Sequence, residues 1–389
     1  MEDISILLGA GFSVNQGYPF ASKLNQLILD LDAEDFYVQS DGTVIPKNRD
    51  IDDPCWYTPD SKHRYFLIEL RDFYFHKEGE FNYEKFYDFY QFFSNQNNWT
   101  PEFEELCENF RSKFHVTTDN INLISHINKI FNQLVSIFLV DKNGNQFYGS
   151  VHYGKPFFQG YTGFLNCLEH LGEKSTVHIH TLNHDIFFEI FRSSDWLTDL
   201  SDGFEELGSP FYGEYQNAKI RLSCFTNNYI GTYRLYKLHG SIDQFPFHIN
   251  AEVETFIKTK KNLNPTSFYK EVLSDGKLEY INDWVNYHAD FLSGTSSKIL
   301  RYSEKIYYRE IFEHFKKNLK SAKSLLIVGY GCADTEINYL IETEFDFKNK
   351  PVTIVDPFPS DTIKEFAKKI QANIIEKTPN NMLISDILI

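Results

Sequence analysis

The run Ile4-Ser5-Ile6-Leu7-Leu8 ends at Gly9-Ala10-Gly11, and this junction constrains the fold more than any other stretch of the chain. A short, mostly apolar run closed by a glycine reads as a buried parallel strand. Behind it Leu24, Leu27, Ile28 and Leu31 fall at helical spacing, with Pro19 placed where a helix can begin. Strand, glycine loop and helix in that order are how an open α/β sheet starts.

Further strand-like runs occur at Thr176–His180, Leu235–Leu238, Leu325–Gly329 and Val352–Val355. A helix with Tyr308, Phe312, Phe315 and Leu319 on one face precedes the third of them. Strands separated by helical stretches predict an α/β fold, a Rossmann-like and mostly parallel sheet covered on both faces. Residues 36–60 read as irregular. From 61 to 172 the chain turns helical and aromatic, with Tyr83, Phe86, Tyr87 and Tyr90 on one face. Ile124, Ile127, Phe131, Leu134 and Phe138 repeat that spacing after a cap at Thr118 or Asp119. The expected division is a sheet domain of residues 1–35 and 173–389, with 36–172 as a large, mainly helical insertion. The stretch 200–234 is rich in Gly, Ser and Asn and takes no assignment.

Composition narrows the function. With 38 basic against 54 acidic residues the formal charge is −16. Such a surface repels a phosphate backbone, so nucleic acid is not expected as a direct ligand. The five cysteines, Cys55, Cys107, Cys167, Cys224 and Cys332, include no close pair. Neither a disulfide framework nor a zinc ribbon fits that spacing, and no bound metal is expected. No apolar stretch approaches the roughly 18–20 residues of a membrane span. Met1-Glu2-Asp3 carries no basic leader, so the expected location is the cytoplasm. The aromatic helical block (Tyr83, Phe86, Tyr87, Tyr90, Phe93) has more apolar surface than one sheet can cover, which predicts a homo-oligomer.

Five polar or glycine-rich segments follow the predicted strands. The first is Gly9-Ala10-Gly11-Phe12-Ser13 with Gly17-Tyr18-Pro19 downstream. Glycines at a strand-to-helix turn let backbone N–H groups approach a pyrophosphate, although an unliganded turn has the same composition. The spacing is not that of the dehydrogenase loop. The second is His178-Ile179-His180-Thr181-Leu182-Asn183-His184-Asp185. Its three histidines suit a metal only if a further ligand completes the set, and a helix cap by Asn183 or Asp185 is the plain alternative. The third is Lys237-Leu238-His239-Gly240-Ser241, where Gly240 points to unusual backbone angles or close approach. A lone histidine such as His239 is more often structural than catalytic. The last two are Gly329-Tyr330-Gly331 and Val355-Asp356-Pro357, suited to holding a ribose or to making a tight turn.

Taken in order, GAGFS with GYP, TLNHD, KLHGS, IVGYG and IVDP resemble the sirtuin-like family over roughly residues 1–30 and 175–375. The chain departs from the deacetylating members: it lacks two cysteine pairs for a structural zinc, and Phe20-Ala21-Ser22 stands where they carry Asp-Phe-Arg. Position 182 is Leu where they often have Gln, and His184 replaces an aliphatic residue. The pattern is closer to bacterial sirtuin-like proteins of antiphage defence, which hydrolyse NAD and often carry helical insertions. Some of those assemble with a HerA-type ATPase. The resemblance implies NAD as substrate, no zinc, and catalytic roles for Asn183, Asp185 and His239. Asn183 would place the water or a ribose hydroxyl, Asp185 would hold the carboxamide or ribose, and His239 would take a proton. Gly9, Ala10, Gly11 and Ser13 would line the phosphates, with Phe12 and Tyr18 counted in the same cofactor loop. Gly329, Tyr330, Gly331 and Asp356 would face the adenosine side. A protein deacylase or ADP-ribosyltransferase on the same site is the first alternative. A module that binds NAD or ADP-ribose without turning it over is the second.

Overall fold

Seven parallel strands carry the site: β1 (Glu2–Leu8), β2 (Ser175–Thr181), β3 (Leu200–Ser201), β4 (Tyr233–Lys237), β5 (Leu325–Val328), β6 (Val352–Val355) and β7 (Asn373–Ile375). Their order across the sheet is β7-β6-β5-β1-β2-β4-β3. The order reverses beside β1, whose neighbours are β2 and the much later β5. That is the topological switch point of a doubly wound sheet. This computed structural model describes residues 2–39, 42–47, 61–144, 155–193, 196–250, 252–260, 263, 265–281, 284–285, 288–295, 297–304 and 306–387. Among them no helix is long and apolar enough to cross a membrane.

Residue alternation along β1 explains why both faces are covered. Ile4, Ile6 and Leu8 join a core with Val177, Ile179, Leu235, Leu326 and Val328, against Phe164, Leu165, Leu168 and Leu171 of helix Thr162–Gly172. On the other face Ser5 donates to the Asn318 carbonyl of helix Tyr308–Ser321 at 3.2 Å. There His180 packs between Tyr236 and Phe315, at 4.8 and 4.7 Å between ring centres. Helices lie on both sides of a parallel sheet, as the strand and helix alternation predicts.

Contacts separate the chain into two compact units. Met1–Phe20, Val140–Val285 and Arg301–Ile389 form one, Ala21–Leu139 and Asn286–Leu300 the other. The breaks differ from the expected 35/36 and 172/173, for a packing reason. Helix Ala21–Leu29 contacts helices Tyr83–Phe92 and Asn120–Phe138, whereas helix Thr162–Gly172 contacts β2. The segment 200–234 and its continuation are β-rich, which the sequence reading does not anticipate. A five-stranded sheet runs in the order Trp284–Val285, Gln244–Ile249, Glu252–Lys258, Ser223–Phe225, Phe204–Glu205. A four-stranded sheet runs Lys277–Ile281, Tyr269–Ser274, Phe211–Tyr215, Ala218–Arg221.

In the second unit the side chains of Asn82, Thr100 and Asp119 cap the helices that follow them. Buried Arg64 donates to the Ala33 and Phe36 carbonyls at 2.6 and 2.5 Å, and Arg71 to that of Ile28 at 3.1 Å. The hairpin Phe36–Val38/Val44–Pro46 lies in a stretch expected to be irregular. Tyr83, Phe86, Tyr87, Tyr90 and Phe93 are all buried, none more than 7% exposed. They form an internal aromatic core, with Phe93 stacked on Phe103 at 4.0 Å. The five rings from which a homo-oligomer was expected are therefore interior.

Candidate active site

Register places the five motif loops side by side. Lys237 pairs with Thr181, Thr181 with Leu8, Leu8 with Val328, and Val328 with Val355, so one row of residues crosses the sheet at its carboxyl edge. Gly9, Leu182, Leu238, Gly329 and Asp356 each follow a member of that row. Their N–H groups extend the ladder to Val328, Leu8, Thr181, Val355 and Ile375 at 2.9–3.1 Å. Every motif thus enters the same crevice, where open α/β sheets bind ligands.

The glycine loop and the late loop touch through bare backbone. A side-chain carbon on Gly9 would lie 2.6 Å from the Gly329 carbonyl oxygen, and one on Gly329 2.3 Å from the Phe12 nitrogen. Gly329 also takes φ +63. The glycines therefore allow two loops to meet. Gly11 N–H donates to Gly329 at 2.9 Å and Phe12 N–H to Gly9 at 3.0 Å, so neither is left to cradle a phosphate. Ala10, Gly11 and Gly331 present exposed backbone, and nothing stands within 4 Å of a carbon added at Gly331.

Asn183, Asp185 and His239 come together here, 8%, 6% and 5% exposed. The Asn183 amide nitrogen donates to the Gly9 carbonyl and to Ser13 Oγ, both at 3.0 Å. Ser13 also favours the charged form of the Asp185 carboxyl. The Asp185 carboxylate also accepts the Phe187 N–H at 3.0 Å, at the start of the 3₁₀ turn Phe188–Ser193. So Asp185 closes a local turn ahead of that element while lying in the crevice. Burial pushes its carboxyl up, opposed by Lys237, Phe187 N–H and Ser13.

Lys237, buried at the end of β4, donates to the Asp185 carbonyl and lies 3.3 Å from Glu189. Glu189 is 3.6 Å from Lys258, which pairs with Asp202 at 2.7 Å. Arg192 completes this set at 2.9 Å from Asp202. An ion network therefore supports the Asn183–Asp185 turn from beneath. Sequence reading quotes Lys237 without giving it a task; the signal is a lysine ending a strand that is otherwise buried except at Arg234.

His239 Nε2 lies 3.4 Å from Tyr302 Oη and 3.6 Å from Asp334 Oδ2, and its ring centre is 6.2 Å from that of His184. Gly240 beside it takes φ +76. Asp334 and Tyr302 were both missed. Asp-Thr-Glu-Ile at 334–337 is a helix-start signal, and the Asp334 side chain does cap helix Thr335–Glu344.

Several anticipated binding residues have other positions. Phe12 is in the core, its ring 4.8 Å from that of Phe164, and Tyr18 packs toward Phe187. The short helical turn Ala10–Ser13 directs the Phe12 side chain inward. Tyr330 is buried, and its hydroxyl bonds the Asp334 carbonyl at 3.1 Å and Asn338 at 3.0 Å. Asp356 is partly exposed and accepts the Phe358 N–H at 2.8 Å. His178 and His180 point into the aromatic layer under helix Tyr308–Ser321, away from His184. Among the described residues no three His, Cys, Asp or Glu side chains are grouped as metal ligands.

Residues 178–376, half of the chain, match the SIR2-like domain. The chain belongs to the SIR2-like family. The match begins in β2 and ends just past β7, so it contains Asn183, Asp185, His239, Gly329 and Asp356 but not the glycine loop. No curated protein matches this SIR2-like chain. Solved structures similar to it include a Sir2 enzyme from work on mechanism and regulation, at 13% identity and a TM-score of 0.36, covering 98% of this chain and 90% of that one. A Sir2 homologue–NAD complex is 11% identical with a TM-score of 0.36, covering 97% and 84%. A mutant Sir2 homologue bound to ADP ribose is 10% identical with a TM-score of 0.34, covering 95% and 90%.

Proposed function

We propose that this SIR2-like chain is an NAD glycohydrolase, which cleaves the nicotinamide–ribose bond of NAD to give nicotinamide and ADP-ribose. The observation that supports it most is Asn183 tied to the glycine loop through Gly9 and Ser13 at the switch point, with buried Asp185 two residues on and buried His239 at the adjoining strand end. Binding alone has no need of an amide, a carboxylate and an imidazole gathered at one level. The Asn183 amide nitrogen is committed to the loop, and its oxygen accepts no hydrogen bond from the described residues. That oxygen is the acceptor offered to a ribose hydroxyl or a water.

The chemistry asks little in acid–base terms. The nicotinamide ring nitrogen is cationic in NAD, so the electron pair of the breaking bond neutralises it and no general acid is required, unlike an ordinary glycosidase. Water forms the new bond to the anomeric carbon, and its proton leaves through His239. Asp185 supplies negative charge for the electron-poor ribose, in a position where burial strengthens it. Ala10, Gly11 and Gly331 offer close backbone approach to the rest of the dinucleotide.

The decisive experiment is incubation of the purified chain with NAD, followed by chromatography of nicotinamide and ADP-ribose. Their appearance in equal amounts without any peptide supports hydrolysis. NAD that binds and stays intact overturns it in favour of a sensing module, and release that depends on an acyl-lysine peptide or labels a protein overturns it in favour of the transfer enzymes. A role in antiphage defence, cytoplasmic location, self-assembly and a HerA-type ATPase partner rest on the motif resemblance. Co-purification with such an ATPase and protection of phage-challenged cells test them.

A further inference from the structure

We infer that Lys237 is a positioning residue for Asp185, gripping the backbone of its turn and placing a positive charge near its carboxylate. The inference rests on the reading of this crevice as an NAD site and deepens it. Two successive carbonyls after Asn183 are held by one short segment. Lys237 Nζ donates to the Asp185 carbonyl. Ser241 Oγ and the Ile242 N–H donate to the His184 carbonyl at 3.2 and 3.0 Å. The Leu238 N–H adds the ladder bond to Thr181 at 2.9 Å. His239 sits between these grips, in a tight turn that the Gly240 N–H closes by donating to the Lys237 carbonyl at 3.1 Å. The Tyr307 hydroxyl donates to that same carbonyl at 3.1 Å. The segment that carries His239 thus also fixes the path of the chain through Asp185.

A neutral donor would satisfy a carbonyl, so the charge needs its own account. Lys237 is 2% exposed, and a lysine buried that deeply is costly unless a counter-charge stands by. Glu189 Oε1 lies 3.3 Å away. Asp185 is buried too, which drives its carboxyl toward the neutral form, and Lys237 is first among the groups that oppose this. The Glu189 carboxylate works the other way. Lys237 ends β4 and Glu189 lies in the turn Phe188–Ser193, so charges of opposite sign reach Asp185 from two elements. A neutral Asp185 would offer no charge to an electron-poor ribose.

The test is carbon-13 NMR of carboxyl-labelled aspartate across pH, with Asp185→Asn assigning the Asp185 signal. Lys237→Met keeps the length of the side chain and removes both the donor and the charge. The Asp185 midpoint is expected about one pH unit higher in Lys237→Met than in the parent chain. That variant leaves Glu189 buried without this partner, so Lys237→Met is also combined with Glu189→Gln, which removes both charges of the pair and preserves folding. The midpoint should rise there as well, because Lys237 acts on Asp185 more strongly than Glu189 does. A midpoint in the double variant equal to that of the parent overturns the inference and leaves Lys237 a structural member of the ion network. Turnover supplies a second readout: both variants should lower kcat for nicotinamide release about tenfold or more at unchanged KM, with the acid limb of the pH profile displaced to higher pH. A loss of rate that follows melting temperature, with an unmoved limb, also overturns it. A parent chain that releases no nicotinamide removes the glycohydrolase reading instead, while the NMR midpoints still decide the role of Lys237.

Discussion

Asn183 does two things at once, and the consequences can be separated. It ties the turn after β2 to the glycine loop through two buried hydrogen bonds, so Asn183→Ala should cost about 1–3 kcal/mol of stability. His239→Ala should melt near the parent. Both variants should nevertheless lower nicotinamide release by about 10²–10⁴-fold, far beyond what a folded fraction changed by that much stability explains. Full turnover by either variant would show the wrong residue has been named. His180 is the control from the opposite face. Its ring nitrogens have no hydrogen-bond partner among the described residues, so His180→Leu should raise or preserve the melting temperature and leave turnover alone. The crevice position of Asn183, Asp185 and His239 was legible because each follows a strand within an ordered motif. Phe12 and Tyr18 were not, since motif membership carries no information on which way a side chain turns. Lys237 acts on the Asp185 turn through space, and linear spacing does not encode that.

At the level of elements, the two glycine loops make opposite demands on neighbouring positions. Gly9→Ala and Gly329→Ala force a carbon into backbone 2.6 and 2.3 Å away and should destabilise by about 1–3 kcal/mol or more. Gly331→Ala meets open space and should melt like the parent. A rise in KM for NAD in Gly331→Ala alone would place the ligand against that residue; unchanged KM would move it elsewhere. Five of the seven parallel strands were legible because burial on both faces makes them near-continuous apolar runs, while the short edge strands Leu200–Ser201 and Asn373–Ile375 were not. The antiparallel block was not. Strand Lys277–Ile281 is mostly exposed, and the turn joining Phe211–Tyr215 to Ala218–Arg221 uses Gln216 and Asn217 at φ +49 and +63, not the Asn-Gly pair that announces a hairpin. Asp275-Gly276, at φ +50 and +75, does carry that signal, but the strands beside it lack a clean apolar face. The helix Asn120–Phe138 was legible in both its face and its cap at Asp119.

Across the whole molecule, acid should act through histidines held neutral by burial. Desolvation lowers His178, on the sheet, and His63, among the helices, to about 4, and carries His180 down as well. The unfolded chain, titrating near 6.5, binds these protons first, so stability should fall as pH drops from about 6.5 toward 4 and then level for these groups. A denaturant series across that window should show a loss on the order of a few kcal/mol. A flat profile would mean that the rings protonate without unfolding. The strand order has a consequence of another kind, for the timing of synthesis. β1 leaves the ribosome early, but its partner on one side, β5, is made near the end, and Leu8 meets Val328 only then. Long loops must close before this pairing is rewarded, which makes it late and slow. The two halves of the crevice thus meet last, and on the glycohydrolase reading a nascent chain still lacking β5 lacks the Gly329–Gly331 wall of the dinucleotide site.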